Sequence, residues 1–161
     1  MLSFQNIVRS VHNMIIRKAK PEDAEDIKVL YFEYLTKYPP VEEQNMNKWR
    51  EIIQRLNQSE NSYLLVAEEG GRVISTVYLT IIENLTHNVR PFGVVENVVT
   101  HYDFRNKGYA SALLNEATEI SKRHNCYKLF LETGSKNENT INFYRNNGFE
   151  LDLKRSCLKR L

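Results

Sequence analysis

The chain is 161 residues long, enough for one domain with a real core and short for two. Apolar residues make up 42% and charged residues 26%, and no run approaches the roughly 18 uncharged apolar residues of a membrane-spanning helix, so no membrane span is expected. Basic side chains number 22 against 20 acidic ones, a net charge of +2 that gives no broad field for a polyanion; nucleic acid is not an expected partner, and any basic site is local.

In chain order, residues 1–13 (MLSFQNIVRSVHN) read as an N-terminal extension without a signal-peptide pattern, and a short strand follows over 14–19. Pro21, Glu22 and Asp23 supply a helix start, and Ala24, Ile27, Leu30, Tyr31 and Tyr34 give that helix one apolar face before Pro39 and Pro40 stop it. Met46, Trp49, Ile53 and Leu56 mark a second one-sided helix. YLLVAEE and RVISTVYLTII, joined by Gly70 and Gly71, predict an antiparallel hairpin. After a polar stretch, FGVVENVVT is a third β-branched run. A basic loop then opens a helix whose Ala110, Leu113, Leu114, Ala117 and Ile120 share a face. YKLFLET (127–133) closes a strand, helix, strand crossover with parallel strands. A last helix near Asn137–Asn147 ends at Gly148, and one or two final strands are expected from Phe149. A hairpin with a single crossover predicts an α/β (α+β) domain over 14–161, a mixed sheet with helices on both faces.

Cys126 and Cys157 form no CxxC pair and are expected as thiols, which favours the cytoplasm. The four histidines show no HExxH or HxH spacing, so no metal site is expected. The loop RNKGYA has the chemistry of an anion nest: the first amides of a helix lack internal acceptors, Gly108 admits close backbone approach, and Arg105 and Lys107 add charge. A solvated basic turn is the plain alternative. Neither GxxxxGK[ST] nor GxGxxG is present, so the common nucleotide loops have no support.

RNKGYA fits the [Q/R]xxGx[G/A] signature of the GNAT superfamily, the Gcn5-related N-acetyltransferases. One strand further on, NENTINFYRNNGF resembles the superfamily's second motif, with Asn137, Tyr144, Gly148 and Phe149 in register and Thr140 where alanine is usual. The order of strands and helices agrees over nearly the whole chain beyond the leader. The resemblance implies a largely antiparallel sheet of about six or seven strands and acetyl-CoA as cofactor. The cofactor's pyrophosphate would lie on Arg105, Asn106, Lys107, Gly108, Tyr109 and Ala110, its pantetheine arm along Val98, Val99 and Thr100, with Asn137 and Tyr144 nearby. Backbone amides near Val98 or Val99 would polarise the acetyl carbonyl.

Attack of an amine on a thioester requires loss of a proton, because a primary amine is mostly protonated at neutral pH. Glu96, inside an apolar strand, is the candidate base, on the expectation that burial raises its pKa; a solvent-facing structural carboxylate is the alternative. Tyr144 matches the superfamily's tyrosine that protonates the departing thiolate; a half-buried aromatic without chemistry is its alternative. Cys126 offers a covalent scheme, but it has no paired histidine in sequence view and reads better as a core thiol.

For the acceptor, Tyr38, Glu42, Glu43, Arg90 and Tyr102 are candidates by their place in the resembled fold, Arg90 as a bidentate grip on a phosphate or carboxylate. A small primary amine such as an amino sugar, amino acid or polyamine is the first expectation. A protein or peptide amine and a non-catalytic acetyl-CoA sensor are the rivals, and a homodimer is a further expectation of the resemblance.

Overall fold

A computed structural model describes residues 14–152 and 157–159. The expected leader, 1–13, and part of the expected final strands lie outside the described residues. One sheet runs β1 (Ile15–Lys18), β2 (Ser62–Glu69), β3 (Arg72–Ile82), β4 (Phe92–Thr100) and β5 (Leu129–Leu131), in that spatial order. All neighbours are antiparallel except β4 and β5, which are parallel. The sheet thus has five strands among the described residues, fewer than the six or seven expected, and residues 149–152 form none.

The β2–β3 turn places Gly70 and Gly71 at φ 58° and 80°, the left-handed pair that a two-residue hairpin turn requires. Arg17 on β1 donates to both Asp23 and Glu68, tying the first strand to the first helical turn and to β2.

Helices cover both faces, and two apolar clusters fill the space beneath them. On one side α1 (Ala24–Val29), the turn that follows it and α2 (Met46–Gln58) contribute Ala24, Ile27, Leu30 and Ile53 against Leu64, Val66 and Val99. On the other, α4 (Tyr109–Arg123) sets Leu113, Leu114, Ala117 and Ile120 against Leu65, Val77, Leu79 and Val95, and α5 (Glu138–Asn146) adds Tyr144. The four α4 residues follow the spacing of three and four that keeps one stripe against a sheet.

Two local features were not expected. The chain after α1 continues as a wider π-type turn over Leu30–Leu35, which carries Tyr34 and Leu35 toward the end of β4. The polar stretch before β4 forms one turn, α3 (Thr86–Val89), left-handed at His87, Asn88 and Val89, with His87 stacked on Tyr127 at 3.8 Å. α5 ends as expected: Gly148 has φ 83°, and the Phe149 amide donates back to the Tyr144 carbonyl at 3.1 Å.

Candidate active site

The site begins with a fault in β4. On β3, Thr76 faces Val99 and Tyr78 faces Glu96, so the single residue Val77 opposes both Asn97 and Val98. Asn97 is the extra residue and takes φ 53°, a left-handed conformation that asparagine tolerates better than the valines beside it. The buried Tyr31 hydroxyl of the π-type turn has the side chains of Thr76 and Asn97 as hydrogen-bond partners, which anchors the bulge from the helical layer.

On its other edge β4 pairs with β5 only from Gly93 to Val95. From Glu96 onward the two strands part, and that edge of β4 has no partner strand among the described residues. The opening is continuous with a cleft of about 1300 Å³.

Val98, Val99 and Thr100 line this cleft on one side, and Leu131, Glu132 and Thr133 on the other. The Thr100 carbonyl already accepts a bond from Arg105 Nε at 3.2 Å, so it offers a ligand only its remaining lone pair.

At the end of β4 a short 3-10 turn, Tyr102–Phe104, leads into the basic loop. Asn106 and Gly108 have φ 61° and 88°, and Gly108 is the N-cap of α4. A Cβ at Gly108 would meet no protein atom within 4 Å, so glycine is needed there for its left-handed φ rather than to relieve a clash. The first bond closing the helix runs from the Ala112 amide to the Gly108 carbonyl at 2.9 Å. The preceding amides of the turn therefore lack intrahelical acceptors and carry the positive end of the dipole. Arg105, Asn106, Gly108, Tyr109 and Ala110 line the cleft. Lys107 does not: its ammonium sits over the Phe104 ring at 4.9 Å. An elongated anionic ligand with a polar arm fits this pairing of a strand gap with a helix N-terminus.

Glu96 lines the same cleft but is exposed, so the expected burial does not occur; the parting of β5 leaves its side chain over open space. Tyr144 lines the cleft from α5 and is 7% exposed. Burial first, and then the negative charge of Glu96, holds the Tyr144 hydroxyl above its ordinary pKa, so it remains a proton donor at neutral pH. Asn137 also lines the cleft, and its side chain caps α5 by accepting from the Asn139 amide at 2.8 Å.

The acceptor candidates divide. Tyr102 lines the cleft and is 67% exposed. Tyr38, Glu42 and Glu43 stand outside it, on an exposed loop. Arg90 stands outside the cleft too, donating to the Asn125 and Cys126 carbonyls at 3.1 and 3.0 Å and so bracing the turn before β5. Cys126 is half-buried and burial pushes its thiol up, which suits a packed side chain and not a nucleophile.

Tyr34 and His101 were not singled out by the sequence. Tyr34 reads there only as part of a helical apolar face, and the contact that makes it polar, a hydroxyl 3.2 Å from His101 Nε2, spans 67 residues. Among the described residues no cluster of His, Cys, Asp and Glu could hold a metal ion.

A parted pair of parallel strands beside a glycine-capped helix N-terminus is the arrangement that the resemblance to the acetyltransferases leads one to expect. Residues 24–149 match the acetyltransferase (GNAT) family, and the chain belongs to that family, whose acetyl donor is acetyl-CoA. It is 26% identical over 152 residues to an uncharacterized N-acetyltransferase of Methanocaldococcus jannaschii, covering 91% of this chain and 66% of that protein. A glucosamine 6-phosphate N-acetyltransferase of Trypanosoma brucei brucei is 33% identical over 79 residues, 49% of this chain and 52% of its own length. The chain thus spans about half to two thirds of these curated relatives. A solved structure from Agrobacterium tumefaciens, designated an acetyltransferase, superposes with a TM-score of 0.81 at 29% identity, covering 90% of this chain and 99% of that one.

Proposed function

We propose that this protein transfers the acetyl group of acetyl-CoA to a primary amine of a small molecule by direct attack, with donor and acceptor bound together. The observation that carries the reading is that a strand gap, an anion-ready helix N-terminus, a carboxylate and a protonated tyrosine line one cleft. On this reading residues 14–161 are the acetyltransferase domain, acting in the cytoplasm and open to pairing as a homodimer.

Acetyl-CoA supplies an activated acetyl thioester. The α4 amides and Arg105 hold its phosphates, and the β4 edge beyond the bulge aligns its arm. The amides of Val98 or Val99 polarise the carbonyl. Glu96 takes one proton from the acceptor nitrogen, directly or through a water, as the new C–N bond forms. As the C–S bond breaks, Tyr144 gives its proton to the sulfur, so a free thiol leaves. Glu96 lies at the gap and Tyr144 against it, on opposite roles of proton uptake and release, with the charge of one sustaining the protonation of the other.

Thiol release from acetyl-CoA with a panel of amines tests this. Expected is amine-dependent release that Glu96→Gln and Tyr144→Phe each lower by about 10²-fold or more, while coenzyme A binding by calorimetry stays within threefold. Release equal to wild type in both variants removes the assigned roles. Coenzyme binding with no amine-dependent release across the panel, which should include peptides, removes the activity and leaves a sensor.

A further inference from the structure

Among the described residues three serine or threonine side chains are buried, Ser75, Thr76 and Ser121. Ser121 donates to the Ala117 carbonyl within α4 at 2.8 Å, and Thr76 donates to the Leu65 carbonyl of β2 at 2.9 Å. Ser75 instead reaches the coenzyme strand: its Oγ lies 2.9 Å from the Val99 carbonyl oxygen and 2.7 Å from Thr100 Oγ1. A buried hydroxyl costs free energy unless its hydrogen bonds are made, so both contacts matter to the fold. Together they also fix a direction. A serine hydroxyl has one proton, and the Val99 carbonyl can only accept, so Ser75 donates there. The proton between the two hydroxyls is then the one on Thr100. Thr100 gives its proton to the core, and its oxygen keeps only lone pairs for anything else it meets.

The place of Thr100 decides what that is. Ser75 pairs with Ala67 on one side and Thr100 on the other, and Ala67 belongs to the core cluster that α4 covers. Paired residues share a face of the sheet, so the Thr100 side chain lies on the α4 side, with the phosphate loop and Tyr144. The residue is half-buried and lines the cleft. The next amide, that of His101, donates to the Ile74 carbonyl of β3 at 2.9 Å, and backbone direction alternates along a strand, so the peptide groups of Thr100 face the gap that β5 has left. Arg105 Nε takes one lone pair of the carbonyl there.

We propose that the Thr100 hydroxyl, set by Ser75, accepts a hydrogen bond from an amide N–H of the coenzyme's pantetheine arm, so that Thr100 contacts the donor through its side chain and Ser75 is a positioning residue behind it. The inference rests on the acetyltransferase reading and deepens its account of the donor site. The side chain restores the acceptor capacity that Arg105 takes from the carbonyl. An amide N–H is matched at this point, whereas a carbonyl or phosphate oxygen meets a lone pair and is disfavoured.

Calorimetric titration with coenzyme A, and with adenosine 3′,5′-bisphosphate, which has the nucleotide but no arm, tests the proposal in variants checked for native melting. Thr100→Val, which loses one hydrogen bond, is expected to weaken coenzyme A about fivefold and to leave the bisphosphate within about twofold. Thr100→Ser recovers most of that loss, and Thr100→Ala serves the same comparison if the valine variant melts early. Ser75→Ala releases the Thr100 proton and weakens coenzyme A about threefold. In the Thr100→Val background the same exchange at Ser75 has no further effect, a coupling that a serine with a merely structural role would not show. Unchanged coenzyme A affinity in either single variant, an equal loss for both ligands, or a Ser75→Ala loss that persists without the Thr100 hydroxyl overturns the proposal. Absence of coenzyme A binding by the wild type has a different signature: it removes the acetyltransferase reading, and this inference with it.

Discussion

Replacing Asn97 with valine tests whether one bulged residue aims the coenzyme-binding edge of β4. At φ 53° a β-branched side chain meets its own backbone, a penalty of about 1–2 kcal/mol relative to ordinary strand geometry. The exchange also removes one of the two side-chain partners of Tyr31, worth about 1 kcal/mol. The sum is roughly 2–3 kcal/mol, which for a domain of 161 residues lowers Tm by about 5–10 °C. Asn97→Gly separates the two terms, since glycine accepts the left-handed φ and forfeits only the Tyr31 bond, about 1 kcal/mol. If the chain escapes strain by straightening, Val98, Val99 and Thr100 slip by one residue and exchange faces, and coenzyme A affinity falls with them. Urea denaturation gives the stabilities, and calorimetric titration with coenzyme A gives the affinities. A valine variant as stable as the glycine variant, with wild-type affinity, would refute the reasoning.

Gly93 lies where a Cβ would sit 2.6 Å from Leu129 Cδ1 and 2.9 Å from Ser121 Oγ, so Gly93→Ala should destabilise by about 1–3 kcal/mol in urea; a change under about 0.5 kcal/mol would show that α4 and β5 can give way. At Asp23, burial pulls the carboxyl up, but bonds from Arg17 and the Lys20 amide outweigh it and hold the pKa below the ordinary 3.8. A carboxyl with a depressed folded pKa stabilises the protein above its unfolded pKa and loses that contribution as pH falls through the folded value. Unfolding free energy should therefore decline as pH drops below about 4, and Asp23→Asn should flatten that decline; identical acid limbs in the two proteins would contradict it.

Where side-chain periodicity and turn chemistry determine structure locally, the sequence was a good guide. The hairpin at Gly70 and Gly71, β4 at Phe92–Thr100 and the α4 stripe all fall where apolar spacing puts them. β5 is shorter than YKLFLET suggests, because the run keeps its β-forming composition past Leu131 while its partner strand turns away. That parting depends on the pairing of distant segments. So does the bulge at Asn97, whose only local sign is an asparagine set among valines.

The site shows the same division. The phosphate loop and the Tyr144 motif are contiguous in sequence and therefore visible there. Glu96 was placed on the right strand, but its exposure follows from the loss of a neighbour that no local pattern encodes. Arg90 is an acceptor candidate only by its place in the resembled fold, and only the fold brings the Asn125 and Cys126 carbonyls within its reach. Tyr34 and His101 are the converse case, a hydrogen-bonded pair that forms only when the π-type turn meets the end of β4.

The central claim, that the parting of β4 from β5 and the α4 amides together seat the donor, is tested most directly by a crystal structure with acetyl-CoA bound. Expected are diphosphate oxygens about 3 Å from the amides of the Gly108–Ala110 turn, with the pantetheine arm hydrogen-bonded along β4 beyond Asn97 and the thioester between Glu96 and Tyr144. A coenzyme bound outside this gap, with those amides facing water or protein, would contradict it.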